Sequence, residues 1–336
     1  MKRPMLTFLL VCGVNTLLLA QDLDPYFGPR AAMLLDPSRT GFDPGAQVSL
    51  IHFDQWLQEP GTWNSDLLAA EWCARNRKKV TASWLGIGCA AMRDRTGATG
   101  GQVTSLSVLP AMHLRASRRS YLSSGLEVRL VHGAYNNDEG AWASQYDGTR
   151  YDASLASGEN RTAGNSKWLE ARAGLSWTMK QDAESARRRE RNAVVLGVAA
   201  DHLGQLVLPE SGITAPTVPM RFTAYALVEQ PHEIWENGYF SADVIGQVQG
   251  PFRTARLNVH AGKHLLNAAR REGGPALIGF RAGVGYRLQD ALLVDAGIDL
   301  SKLSFGLAYG WSVINRDGMA AGKRTVEVIL QVRLGG

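Results

Sequence analysis

The 336-residue sequence predicts an all-β fold, a transmembrane antiparallel β-barrel of the outer membrane with about 14 strands. Three observations carry this. Large apolar side chains alternate with small or polar ones, the alternating stretches are longer than ordinary strands, and no run beyond the N-terminus is long and apolar enough for a transmembrane helix. In "KLSFGLAYGWSV" the odd positions are Leu303, Phe305, Leu307, Tyr309, Trp311 and Val313, and the even ones are Ser304, Gly306, Ala308, Gly310 and Ser312. Successive side chains of a strand point to opposite faces, so one face is broad and apolar and the other small and mildly polar.

Residues 1–20 read as a secretory signal peptide. Lys2 and Arg3 precede an apolar run from Met5 to Ala20, with a small residue before Gln21. A lipoprotein reading through Cys12 is weaker, because Val11 is bulky and the apolar run continues past it. Residues 21–336 form one barrel domain, with 21–45 expected as a periplasmic lead-in. Removing residues 1–20 takes two of the 36 basic residues and none of the 31 acidic ones, so the formal charge falls from +5 to +3. That is too small an excess to argue for nucleic acid or a polybasic anchor.

Candidate strands lie near 46–53, 64–74, 80–91, 102–115, 119–133, 167–179, 191–203, 220–230, 237–250, 253–262, 276–287, 290–299, 302–313 and 322–333. Many run ten to fourteen residues, against about 5–6 in globular sheets. About 9–11 tilted residues cross a bilayer. The longest apolar run after the signal segment, "AVVLGVAA" at 193–200, is far too short for a spanning helix. In 119–133, Leu122, Ser124, Leu126, Val128, Leu130 and His132 share one face, and Glu127 and Arg129 fall on the other. Those charges suit a wet lumen and not a sandwich core. The last strand repeats the pattern, with Val326, Val328, Leu330, Val332 and Leu334 against Glu327, Ile329, Gln331 and Arg333. Closure removes the open edges such strands would otherwise present.

If both termini are periplasmic, connections alternate long outside and short inside. The first half fits, ending in the long connection 134–166; after residue 237 the rule blurs, with "QGPF" short and "KHLLNAARREGGP" long against expectation. Parity puts the basic turns "RNRKK" (75–79), "SRR" (117–119) and "ARRRER" (186–191) on the periplasmic side.

Catalytic and metal chemistry finds little support. Cys73 and Cys89 are too few for a disulfide framework and read as small apolar fillers. "HAGKH" (260–264) would hold its two histidines about 13 Å apart on a strand. "NND" (136–138) lacks the glycine and distal Glu of a calcium loop. No nucleophile elbow or hydrolase spacing is present. No cofactor, metal site or catalytic residue is therefore expected.

Several segments resemble the PorP/SprF family of outer-membrane proteins of the Bacteroidetes. They are "QDLDPYF", "LDPSRTG" (35–41), "HFDQW" (52–56), "WASQYDGTRYDASLASGE" (142–159), the closing hairpins and the Glu-bearing last strand "RTVEVILQVRL". Their order and spacing span nearly the whole mature chain. Departures include Asp36 and Ser38 for the usual Asn and Ala, and Phe53 for Arg before "DQW". The resemblance implies a non-enzymatic barrel of type IX secretion and gliding. It would help secrete and anchor large surface proteins bearing C-terminal sorting domains, beside the translocon and periplasmic ring lipoproteins, in outer-membrane lipid. Partner-binding candidates are Asp54, Gln55 and Trp56, for which a structural turn with Trp56 in an aromatic girdle is the plain alternative. The others are Trp142, Gln145, Tyr146, Asp147, Arg150, Tyr151 and Asp152 in the long loop. A passive channel for small or hydrophobic solutes is the competing function.

Overall fold

The computed structural model describes residues 24–334 except 58–61, 74–82, 97–100, 136–142, 147–148, 151, 153, 156–163, 181–192, 210–216, 233–234, 236, 267–276, 289, 301 and 314–323. Its strands are β1 (Gly45–Gln55), β2 (Trp63–Cys73), β3 (Ser83–Thr96), β4 (Gly101–Arg115), β5 (Ser120–Tyr135), β6 (Gly164–Lys180), β7 (Ala193–Asp201), β8 (Gln205–Val207), β9 (Arg221–Pro231), β10 (Gly238–Gln249), β11 (Phe252–Leu266), β12 (Leu277–Arg287), β13 (Ala291–Leu300), β14 (Leu303–Ser312) and β15 (Arg324–Leu334). Each pairs antiparallel with its neighbours, β15 returns to β1, and the sheet is closed all round. Fourteen long strands make the barrel, as the alternation predicted.

β8 is the one addition. Between β7 and β8 the chain bulges at His202 (φ 56°). Ala173 of β6 faces Ala200 while Glu170 faces Gln205, so three steps along β6 match five along its partner. An extra pair of residues bends a strand and ends regular pairing. β9 accordingly pairs β7 only as far as Asp201 opposite Arg221.

The two faces separate as the sequence indicated. Leu303, Phe305 and Leu307 are exposed on the outside, with Leu307 46% exposed and Ala308 beside it 2%. Cys73 and Cys89 form no disulfide and fall on opposite sides, one buried and one exposed.

Chain occupies the lumen where the charged inward positions suggested water. Residues 24–43, expected as a periplasmic lead-in, thread through it as a plug. Tyr26, Phe27, Ala31, Met33, Leu35, Asp36, Ser38, Thr40 and Phe42 are all buried. Their contacts are inward residues of strands around the wall: Ile51, Leu67, Leu293, Ala308 and Ile329 pack with Tyr26 and Phe27. Val195, Tyr225 and Ile245 pack with Leu35, and Ala69 and Leu109 with Met33. The small inward residues exist to admit this chain. A Cβ on Gly125 would collide with Pro37, one on Gly174 with Asp36, and one on Gly86 with the Thr40 carbonyl.

Strand parity gives the barrel a terminus-bearing end, where β1 begins and β15 ends, and a loop-bearing end, which holds 136–163. Phe42 sits by Trp84 and Cys73 near the former. Asp24 pairs with Arg256 toward the latter.

Candidate functional site

The plug is held through local turn chemistry. In "LDPSRTG", Asp36 caps the single 3₁₀ turn Pro37–Arg39, its carboxylate accepting the Ser38 N–H at 2.7 Å. Proline suits the first position of such a turn, where no N–H is needed. Gly41 then turns the chain at φ 61°, where a Cβ would lie 2.5 Å from the Trp72 carbonyl oxygen. The wall supplies partners throughout. Tyr225 donates its hydroxyl to Asp36 at 2.7 Å, and Ser38 to Ser176 at 2.7 Å. Gly41 donates its N–H to Glu71 at 2.7 Å. His113 sits 2.8 Å from both the Thr40 carbonyl and the Ser123 hydroxyl.

Two charge clusters flank the plug. On β5, β6, β7 and β9, three carboxylates (Glu127, Glu170, Asp201) meet three guanidiniums (Arg129, Arg172, Arg221). The Arg129–Glu127 contact is 2.9 Å, Arg129–Glu170 3.1 Å, Arg172–Asp201 2.5 Å and Arg221–Asp201 3.2 Å. Arg172 also donates to the carbonyls of Leu34 and Leu35. On β11–β13, Asp295 contacts His260 at 3.2 Å and Arg281 at 3.3 Å and accepts the Tyr26 hydroxyl at 2.7 Å. Arg30 of the plug reaches Asp299 at 3.0 Å. Buried charges are tolerable only when paired and hydrogen-bonded, so the clusters specify where this backbone must lie.

The predicted contact residues fall at the loop-bearing end. His52 and Asp54 share the outward face of β1, and the His52 ring lies 3.2 Å from Asp54 and 2.8 Å from Asp66. Gln55 ends β1 opposite Trp63. Trp56 (φ 60°) packs against Trp63 with the rings tilted at 43° and their centroids 5.0 Å apart. In the long loop, Gln145 is buried and donates to the Leu155 carbonyl at 3.0 Å, while Tyr146 is 56% exposed. Arg150 is exposed. Asp152 accepts the Ser154 hydroxyl at 2.7 Å and its N–H at 2.9 Å, which holds its carboxyl below the usual range. Trp142, Asp147 and Tyr151 lie outside the described residues, as do "NND", "RNRKK" and "ARRRER". Gln145 and Asp152 thus brace the loop, and of the predicted contact residues described there Tyr146 and Arg150 are the exposed ones.

Among the described residues no set of three His, Cys, Asp or Glu is arranged to hold a metal. His260 turns to Asp295, while His264 stacks on Tyr239 at 5.0 Å.

The family model described as type IX secretion system membrane protein PorP/SprF matches residues 24–332. The chain belongs to this family. It is an outer-membrane β-barrel component of the type IX secretion system, and the match takes in the plug as well as the wall. No curated protein matches the chain. Among solved structures, a mutant of the TodX monoaromatic hydrocarbon channel is similar at TM-score 0.51 and 13% identity, covering 91% of this chain and 94% of that one. The toluene transporter TodX of P. putida gives 0.45 at 11% identity, with 91% and 94% coverage. The translocator domain of the autotransporter NalP from Neisseria meningitidis gives 0.41 at 11%, again covering 91% and 94%. The first of these supports the barrel fold and nothing beyond it.

What sequence reasoning missed in this PorP/SprF chain is the plug. The one hint was the even face of strands such as β14, where Ser304, Gly306 and Ala308 leave volume that either water or another segment can fill.

Proposed function

We propose that this PorP/SprF barrel is a non-enzymatic platform that helps secrete large proteins bearing C-terminal sorting domains and retains them at the surface, working beside the translocon and the periplasmic ring lipoproteins. The single observation that favours a platform over a conduit is the filled lumen. Tyr26, Phe27 and Asp36 are tied to β9, β13 and β15 by buried hydrogen bonds. A barrel packed like a protein core offers partners its rims and outer face. On this reading the loop-bearing end is extracellular. The client would meet Tyr146 and Arg150, together with Trp142, Asp147 and Tyr151 of the same loop, over a base braced by Gln145 and Asp152. Asp54, Gln55 and Trp56 add a second contact on the rim. Interfaces concentrate their energy in a few aromatic and arginine side chains, which this set supplies.

The test is fractionation of cells expressing wild-type protein, a deletion of residues 137–158, or no protein. Loss of β5–β6 loop residues costs little when the flanking strands stay paired. The deleted protein is therefore expected in the outer membrane as a folded barrel, with the client released to the medium or trapped before export. An unchanged surface proteome in null cells, together with slowed uptake of a small solute, decides for the channel instead.

A further inference from the structure

Asp24 marks where the plug meets the loop-bearing rim. Its carboxylate lies 3.3 Å from the Arg256 guanidinium, which also donates to the Pro25 carbonyl at 3.2 Å. Arg256 stands opposite Arg287, the last residue of β12, so this contact is level with the loop-bearing edge of the wall on that side. We propose that the free amino end of the mature chain emerges at the loop-bearing mouth, on the same face as the 136–163 loop, having passed the lumen as extended chain.

The direction of the plug follows from where its partners sit along the strands. Just below Asp24, the Tyr26 hydroxyl reaches Asp295 in the first half of β13, and the Phe27 N–H reaches Glu327 near the start of β15. Farther along the same two strands, Arg30 meets Asp299 at 3.0 Å, and Gln331 donates to the Arg30 carbonyl at 3.1 Å. Arg39 then donates to Thr178 at 2.7 Å near the end of β6, and the Thr40 carbonyl lies 2.8 Å from His113 near the end of β4. β4, β6, β13 and β15 all run from the loop-bearing end to the terminus-bearing end, and the plug descends in the same sense.

Reach leaves the amino end one way out. With residues 1–20 removed, residues 21–23 add at most about 11 Å of chain. The terminus-bearing end lies about 30 Å away, across the thickness of the hydrocarbon core. Buried residues of the plug, from Ala31 to Phe42, fill the path between. The connections beside Asp24 are the two shortest at the loop-bearing end: β10 ends at Gln249 and β11 begins at Phe252, while β12 ends at Arg287 and β13 begins at Ala291. Neither turn is long enough to arch over the lumen. The short "QGPF" turn, which ran against the expectation of long outer connections, thus stands where the chain leaves the barrel.

This path constrains assembly. Where the wall grips Asp36, Pro37 and Thr40, at Gly174, Gly125 and Gly86, there is no space even for a Cβ. Such a lumen passes an extended chain and not a folded domain. The shared face with the 136–163 loop rests on removal of residues 1–20. Its place outside the cell rests further on the orientation proposed above, which sets the amino end beside Tyr146 and Arg150 on the client-facing surface.

The experiment labels Leu23→Cys in the full-length protein with a membrane-impermeant maleimide, before and after cell lysis. Ser154→Cys reports the loop-bearing end and Arg118→Cys the terminus-bearing end. Heat modifiability confirms the fold of each variant, and intact mass confirms that the mature chain begins at Gln21. Leu23→Cys is expected to label under the same condition as Ser154→Cys and not with Arg118→Cys. If both Leu23→Cys and Ser154→Cys label only after lysis, the shared face stands and the orientation fails. Labelling of Leu23→Cys with Arg118→Cys, no labelling under either condition, or a mature chain that retains residues 1–20 would each overturn the proposal. Two fusions ahead of Gln21 test the threading. A short unstructured epitope should be tolerated, whereas a compact folded domain should lower the heat-modifiable fraction at least several-fold, and the same domain after Gly336 should not. Where Ser154→Cys labels in intact cells, equal assembly of both amino-terminal fusions overturns passage as extended chain.

Discussion

The carboxylate of Glu327 accepts the backbone N–H of Phe27 at 2.7 Å, across 300 positions of sequence. Its second oxygen accepts the N–H of Tyr26 at 2.6 Å. One side chain on the last strand thus satisfies two buried donors at the start of the plug, on a segment with no ladder partner of its own.

Replacing Glu327 with Ala should therefore loosen the plug and not the strand ladder. Each buried N–H left without an acceptor costs about 1–3 kcal/mol, so E327A, which strands two, should destabilise the native state by roughly 2–6 kcal/mol. E327Q keeps one carbonyl oxygen and should fall between. Urea midpoints of the heat-modifiable band measure the cost. Planar-bilayer recordings on the same proteins should show wild type closed and E327A passing current in bursts. A silent E327A with an unchanged midpoint would mean the contact holds nothing.

Glycines facing the plug should be far less tolerant than one facing open space. Gly125→Val and Gly174→Val place side chains into Pro37 and Asp36 and should sharply reduce the folded fraction or expel the plug. Nothing lies within 4 Å of a Cβ on Gly204, so Gly204→Ala should be nearly silent. Protease sensitivity of residues 24–43 distinguishes expulsion from global failure to assemble.

The two faces of β14 give a sharper contrast. Leu307 faces lipid near mid-strand, and an Arg there should cost about 2–4 kcal/mol at the bilayer midplane. For Ala308 the reading of a wet lumen predicts tolerance of added volume. The packing against Tyr26, Phe27 and Ile51 predicts the opposite. Ala308→Leu should thus lose about 1–3 kcal/mol through overpacking, read from the same urea midpoints. A neutral Ala308→Leu would argue that the plug leaves this position.

These cases also mark where the sequence stops being legible. Period two on β5, β14 and β15 determined which side chains share a face, and every one of the 14 long strands followed from it. Periodicity is blind to what fills the space beyond the small face, because water and a folded segment are equally compatible with Gly, Ala and Ser. Residues 24–43 carry no period of their own. Their structure rests on contacts such as Tyr225 with Asp36, 189 positions apart, which no local pattern encodes. The β7–β8 bulge was hidden for a similar reason: His202 adopts a left-handed conformation that tertiary pairing imposes and its sequence neighbours do not signal. In the long loop, residue type pointed to Tyr146 and Arg150, but the bracing by Gln145 and Asp152 is visible only once the chain is folded.

Orientation is open to direct test, because the native cysteines are silent. Cys73 is buried and Cys89 lies on the exposed outer face among lipid-facing residues, so neither should react with a charged, membrane-impermeant maleimide in intact cells. Ser154, exposed on the long loop, can then report alone. Its hydroxyl donates to Asp152 at 2.7 Å, and the N–H to the same carboxylate at 2.9 Å remains when Ser154→Cys removes the oxygen, so the loop should keep its shape. With the loop-bearing end outside, Ser154→Cys should label fully in intact cells, and a cysteine at Arg118, on the turn at the opposite end, only after lysis. The reverse pattern would invert the barrel and move the proposed client contacts to the periplasm.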